Sequence, residues 1–314
     1  MSIAISSYAD SDREEVLALW ASALPLDAIS MDRFESRIIL DENFDPGTFL
    51  LARQDKRLVG FVVGVYAKRM PLGDADPQGT RCWITALGIQ PQVSVPDVGG
   101  ALIEEVEKRF KALGKTECYV SNYPPGYFTP GIDLKAYKPL IELFRSRDYR
   151  PFHEALSMDA KIVLLTISEK VRERERVLLD NGIAVRPYRR TDLLKFLDFL
   201  EQTMPTDWVR VERRNMRHMA DGTFREDQIT VAAKGDDIIG YCQFEGSHFG
   251  PFGVSEQYQS EGIGTVLLAR TLERMKQQGY HDAWVMWTDD IAANVYSKFG
   301  FTETRRFVLM KKQL

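Results

Sequence analysis

Cysteine, histidine and long apolar runs are scarce in this sequence. Its 314 residues include three cysteines, Cys82, Cys118 and Cys242, widely spaced and with no CxxC pair. That excludes a disulfide framework and predicts a reducing, cytoplasmic setting. Four histidines, none in HxxxH spacing, argue against a zinc hydrolase, and no metal is expected. The longest apolar stretch lies around Phe61–Ala67, far short of the roughly 20 residues that span a membrane, so no membrane association is expected. The first thirty residues carry Asp10, Asp12, Glu14 and Glu15 without an apolar core, so no secretory leader is expected. Neither charge sign dominates. Lys plus Arg total 41, Asp plus Glu total 45, and the net charge is −4, which argues against a nucleic-acid partner.

What is present is an ordinary globular composition, 44% apolar and 27% charged, which excludes disorder. The length fits two domains at about 150 residues each.

The sequence repeats itself. Ile3–Asp12 (IAISSYADSD) and Ile183–Asp192 (IAVRPYRRTD) align at an offset of 180, with identities at Ile3/Ile183, Ala4/Ala184, Tyr8/Tyr188 and Asp12/Asp192. The same offset aligns Leu51–Phe61 with Val231–Tyr241, bringing Ala52 onto Ala232 and Gly60 onto Gly240. Two stretches agreeing on one offset imply two copies of one unit.

Each unit reads as α+β. In the second, Ile183–Pro187 is a predicted strand. A helix capped by Thr191 or Asp192 runs to about Gln202, with Leu193, Phe196, Leu197 and Leu200 on one face. Residues 208–220 give a second helix. Ile229–Ala233 and Ile238–Phe244 are strands joined by the turn composition Lys234-Gly235-Asp236-Asp237. Phe252–Val254 is a further apolar stretch, and a helix follows over Gly262–Gln278. Ala283–Trp287 is a strand, Ala292–Phe299 a short helix and Phe307–Met310 a last strand. Between the copies, Ser168–Asp180 reads as a charged, solvated linker helix.

The sharpest local signal is Gln259-Ser260-Glu261-Gly262-Ile263-Gly264-Thr265, which follows an apolar strand and opens a long helix. Glycines there let a ligand approach the backbone, and the first-turn N–H groups point at an anion. Gly264 also shares a face with Leu267, Leu268, Thr271, Leu272 and Met275, so close helix–sheet packing explains it equally well.

The pattern Q-x-x-G-x-G, followed some 30 residues later by Asn294-Val295-Tyr296-Ser297-Lys298-Phe299-Gly300-Phe301, resembles two motifs of the GNAT superfamily of acyl-CoA-dependent N-acetyltransferases. The order of elements over residues 182–314 is similar to that family too. Through the repeat, the whole resembles tandem GNAT proteins, a group that includes mycothiol synthase; Tyr127–Asp133 looks like a loop of such proteins. The resemblance implies a mixed α/β sheet in two tandem GNAT-like folds. Residues 1–165 would form a degenerate first domain, 166–181 a helical linker and 182–314 the catalytic domain.

The resemblance also implies the chemistry. Acetyl would pass from acetyl-CoA to a primary amine, the acceptor being a small molecule and the protein a monomer or homodimer. Residues Gln259, Ser260, Glu261, Gly262, Ile263, Gly264 and Thr265 would hold the CoA pyrophosphate, with Asn294 nearby. The strand Phe252-Gly253-Val254, irregular through Gly250, Pro251 and Gly253, would offer a backbone N–H to the oxyanion. Tyr296 stands at the general-acid position, since a phenol can protonate the departing thiolate. Glu245 and His248 are the candidate bases. A non-catalytic acyl-CoA sensor and a protein-lysine acetyltransferase stay open as alternatives.

In the first copy, Gly99 is aligned with Gly262, Ala101 with Gly264 and Pro96 with Gln259, while Phe144 takes the place of Tyr296 and cannot donate a proton. That half is expected to be folded without being catalytic. Arg210, Arg213, Arg214, Arg217 and His218 form a basic stripe, either a solvated face or a phosphate attractor. Trp287, Asp289 and Asp290, and more weakly Asp207 and Trp208, are read as acceptor-site residues or as core and cap. Cys242 is read as core.

Overall fold

The computed structural model describes residues 3–314. The first copy runs β1 (Ala4–Ser7), α1 (Arg13–Ala23), α2 (Met31–Phe34), β2 (Phe49–Gln54), β3 (Arg57–Tyr66), β4 (Arg81–Ile89), α3 (Val95–Ala112), β5 (Glu117–Val120), β6 (Ile132–Asp133) and α4 (Lys138–Ser146). Then come β7 (Arg150–Lys161) and α5 (Glu169–Asp180). The second copy runs β8 (Ile183–Pro187), α6 (Leu193–Thr203), α7 (Thr206–Ala220), β9 (Ile229–Lys234), β10 (Asp237–Glu245), β11 (His248–Val254), α8 (Ile263–Gln277), β12 (Asp282–Thr288) and α9 (Asp290–Ser297), and β13 (Thr302–Gln313) ends the chain.

The repeat is a repeat of structure. In each copy a tyrosine N–H reaches the start of the second strand: Tyr8 to Phe49 O at 2.8 Å, Tyr188 to Ile229 O at 3.0 Å. In each an aspartate ties the strand to the following helix. Asp12 accepts from Ala9 N–H at 2.9 Å and Asp192 from Arg189 N–H at 2.8 Å. Each is paired with a strand arginine, Asp12 with Arg53 of β2 and Asp192 with Arg186 of β8. Asp192 is therefore bonded to the turn before α6, and its side chain does not cap the helix itself.

The contacts divide the chain into two units. One holds residues up to Ala155 together with Arg305–Leu314, the other Leu156–Thr304. This differs from the contiguous ranges 1–165 and 182–314. The reason lies in strand pairing. The edge of β5 is a row of unpaired N–H and C=O groups unless another strand covers it. The final residues of β13 do so, from Met310 opposite Val120 to Gln313 opposite Glu117. In the second unit β12 is covered by the end of β7, from Thr288 opposite Leu156 to Asp282 opposite Lys161. Each sheet is completed by the strand that follows the other copy in sequence. The predicted last strand of the second copy thus closes the first unit.

Within the first unit the order is β1-β2-β3-β4-β5-β13, and within the second β8-β9-β10-β11-β12-β7. The pairs β4–β5 and β11–β12 are parallel, the other consecutive pairs in each order antiparallel. One face of the first sheet packs on α3 through Leu102, Val106 and Phe110, while Leu113 is exposed. In the second unit the α8 face holds Leu267, Leu268, Leu272 and Met275 as read, with Cys242 buried among them. The opposite face packs on α6 and α7 through Phe196, Phe199, Leu200 and Met219. Among the described residues, no helix is long and apolar enough to cross a membrane.

Helix α5 is not merely solvated. It packs on α8, where Glu175 and Arg270 form a two-pronged ion pair, one arm at 2.7 Å.

Candidate active site

In the second unit β11 is irregular, as its composition predicts. Gly250 has φ +109°, the Gly250–Pro251 peptide is cis, and the pairing to β10 slips between Cys242 and Phe244. Parallel pairing of β11 with β12 is limited to His248 opposite Trp284. Beyond that the two strands part, leaving backbone groups of residues 250–254 free of a β12 partner.

Tyr296 on α9 stands beside this parting. Its ring meets Phe249 edge-on, with Phe301 at 6.0 Å and Phe252 at 6.2 Å. Burial pushes the phenol above its ordinary value, with the charge of Asp289 adding to the rise. Tyr296 is therefore held protonated, the form an acid needs. Thr288 is buried at the end of β12, and its hydroxyl has no hydrogen-bond partner.

The 259–265 segment wraps the start of α8. Ser260 has φ +69° and Gly262 φ +80°, both left-handed, and Gly262 is the residue preceding the helix. Only glycine takes such a conformation without strain. Gly264 marks a close approach of α8 to β11, since a Cβ there would lie 3.2 Å from the ring of Phe252. Gln259 is exposed and its amide approaches the Val254 carbonyl at 3.4 Å. Ser260 and Glu261 are exposed, Ile263 is buried and Thr265 half-buried; Asn294 is exposed on α9. Gly253 lies beneath the α6–α7 junction, where a Cβ would sit 2.6 Å from Met204 Sδ.

Glu245 and His248 face each other across the β10–β11 turn. Glu245 is exposed and His248 half-buried, its ring 4.5 Å from Trp284. Burial lowers the His248 pKa, with Glu245 opposing, so the imidazole is neutral at pH 7. His248 and Phe249 are consecutive on a strand and point to opposite faces. Tyr296 packs on Phe249, so the structure does not place the two catalytic candidates on one face.

Other candidates resolve structurally. Asp289 caps α9, accepting from Ala292 N–H at 2.7 Å. Arg213 pairs with Glu201. The basic stripe hides a second, unread stripe on α7: Glu212, Asn215 and Met219 are buried at i, i+3 and i+7. Asn215 donates to Gln243 Oε1 on β10 at 3.2 Å. Glu212 Oε1 and the Tyr241 hydroxyl are buried without hydrogen-bond partners. Burial pushes the Glu212 carboxyl up to about 8, opposed by Asn215 and Arg214 and reinforced by Glu245. The signal for it was the helical spacing of three residues among the arginines.

The first unit differs at each corresponding place. Gly60 and Gly240 stand opposite Ile89 and Val254, which sets the offset of these strands at 165. Gly99 packs on Ile89 as Gly264 packs on Val254, so Gly99 corresponds to Gly264 and not to Gly262. The residue at the Gly262 place is Asp97, a carboxylate in the first turn of α3. That helix begins about a turn earlier and occupies the place of the loop. Gly99 also packs on Leu143 and Gly100 beneath Arg147. Phe144 does stand at the Tyr296 place. Asp148 (φ +69°) follows it by four residues as Gly300 (φ +84°) follows Tyr296. Where β4 and β5 part, Ile84, Val120, Tyr137 and Phe144 help enclose a cavity of about 60 Å³, room for a few waters at most.

Residues 225–303 match the acetyltransferase (GNAT) domain family. Solved structures with this fold include a glucosamine N-acetyltransferase region of a fungal multi-domain β-N-acetylglucosaminidase (TM-score 0.81, 17% identity). They also include a GCN5-related N-acetyltransferase from Sphaerobacter thermophilus (0.69, 14%) and a tandem GNAT protein of the clavulanic acid biosynthesis pathway (0.63, 13%). Each alignment covers 99% of this chain; it spans 38% of the first protein, 95% of the second and 98% of the third. No curated protein matches the sequence.

The fold is that of the GNAT acyltransferases, present in tandem. The match to the acetyltransferase (GNAT) domain family lies wholly within the second unit. Among the described residues no group of three or more His, Cys, Asp and Glu side chains could hold a metal ion.

Proposed function

We propose that the second unit transfers acetyl from acetyl-CoA directly to a primary amine of a small molecule, and that the first unit is not catalytic. The observation that carries this is the buried, protonated Tyr296 beside the parting of β11 and β12, with the left-handed Gly262 loop at the start of α8 in the same unit.

The CoA diphosphate lies against the first-turn N–H groups of α8, favoured by the helix dipole. The thioester carbonyl lies in the parting, where a backbone N–H of residues 252–254 meets the developing oxyanion. The amine nitrogen attacks the carbonyl carbon, the C–S bond breaks, and the thiolate takes the Tyr296 proton. The amine proton leaves to a base. His248, neutral at pH 7, and Glu245 are the candidates, and their position on the face away from Tyr296 supports a role on the acceptor side. In the first unit Asp97 repels an anion and Phe144 has no proton to give.

Calorimetric titration of acetyl-CoA into the wild type and Gly262→Glu tests this. The reading expects one site, lost in the variant, and CoA release when an amine set is added. Absence of binding to the wild type overturns it, and a site that survives Gly262→Glu places acyl-CoA elsewhere.

A further inference from the structure

Gly262 has a second neighbour besides solvent. A Cβ at this position would lie 3.0 Å from Cδ and Nε and 3.1 Å from Cγ of Arg174. Arg174 belongs to α5, the helix read from sequence as a linker. Its side chain therefore runs along the open side of Gly262, at the mouth of the loop that leads into α8.

The charges around Arg174 set it apart from its helix. Glu173 pairs with Arg176, as does Glu169, and Glu175 is held by Arg270. Among the described residues Arg174 has no carboxylate partner, and its side chain is exposed. The Glu175–Arg270 pair and buried Leu178 fix α5 on the second unit, which fixes where Arg174 stands. The loop carries one acidic side chain of its own, Glu261, which opposes an incoming anion. A cation beside Gly262 offsets it. Arginine suits the task, because its planar donors match phosphate oxygens two at a time.

We infer that Arg174 is a binding residue for the diphosphate of acyl-CoA, reaching the loop from α5 to contact the same group as the α8 N–H donors. This rests on the acyl-CoA reading above. It gives α5 a part in the acyl-donor site, beyond joining the two copies.

The test uses the full chain with Arg174→Met, which keeps the aliphatic stem over Gly262, and Arg174→Lys, which keeps a charge. Titrations use acetyl-CoA and acetyl-3′-dephospho-CoA, and turnover is measured with S-acetyl-pantetheine, which has no diphosphate. Arg174→Met is expected to raise Kd for both CoA forms about tenfold, in line with loss of one charge-assisted hydrogen bond. Arg174→Lys should lose less, and kcat/KM with S-acetyl-pantetheine should stay at the wild-type value. Unchanged Kd in Arg174→Met overturns the inference, as does an equal loss with S-acetyl-pantetheine. A loss seen with acetyl-CoA and absent with the dephospho form moves the contact to the 3′-phosphate and overturns the diphosphate assignment. Failure of the wild type to bind acetyl-CoA is a separate result, since it removes the proposed function itself.

Discussion

The ring of Tyr296 stands edge-on against that of Phe249, with centroids 5.1 Å apart and planes at 88°. The strand residue next to His248 thereby fixes the phenol of α9. Edge-to-face packing of this kind depends on the ring and not on the hydroxyl.

Tyr296→Phe should accordingly keep the fold while removing the proton. We expect the melting temperature to move little and kcat to fall by ~10²–10⁴, the usual worth of a positioned acid. The Kd for acetyl-CoA should hold. Because burial raises the phenol, wild-type kcat should show no loss from Tyr296 ionisation up to about pH 10, the ordinary tyrosine value. Steady-state kinetics across pH, beside a melting curve, checks both. An undiminished kcat would assign the acid elsewhere.

Arg305 holds the exchanged strand in the first unit. It pairs with Asp27 at 2.7 and 2.9 Å and with Asp133 at 2.7 Å. The Arg305 side chain is 24% exposed and that of Asp133 5%. Arg305→Ala leaves two carboxylates facing each other without a cation. The expected cost is about 2–3 kcal/mol, below the ~3–5 of a fully buried pair. Burial alone would raise the Asp133 pKa. The N–H groups of Ala136 and Lys135, with Arg305, outweigh it and hold the carboxyl below its ordinary value. Its stabilisation is thus full above the ordinary aspartate range and lost as pH falls through the lowered value. Urea denaturation at pH 7 and at pH 3 should show the variant's deficit shrinking in acid. An equal deficit at both would place the effect in packing.

Glu212 behaves in the opposite sense. Its folded value is about 8, against roughly 4.3 in an unfolded chain. The folded state therefore binds the extra proton, and the wild type should lose stability as pH rises between those two values. Glu212→Gln keeps the shape and removes the titration. Its stability relative to wild type should climb from about pH 4.3 and level off near pH 8. Parallel pH–stability curves for the two proteins would show that the carboxyl is not held protonated.

Much of this was legible in the sequence. The strand at 183–187, the helix at 193–203, the hairpin at 229–245 and the helix after Gly262 follow from hydrophobic period and turn residues. These are local properties, and the 180-residue repeat doubled their weight. The Tyr296/Phe144 contrast was also local, since both precede a left-handed position by four residues. The correspondence of Gly99 was not. Sequence spacing put it opposite Gly262, whereas packing on Ile89 and Val254 puts it opposite Gly264.

By itself the sequence determined the two copies, their elements, and which copy carries the phenol and the left-handed glycine. Backbone propensity and side-chain chemistry act within a few residues of each position. Tertiary structure alone decided which strand closes each sheet, because the covering strands lie at 156–161 and 310–313, far in sequence from the edges they cover. It alone turned Glu212 inward amid a basic helix and brought Arg174 of α5 onto Gly262. Those outcomes depend on what the rest of the chain places opposite a residue, which no local pattern records.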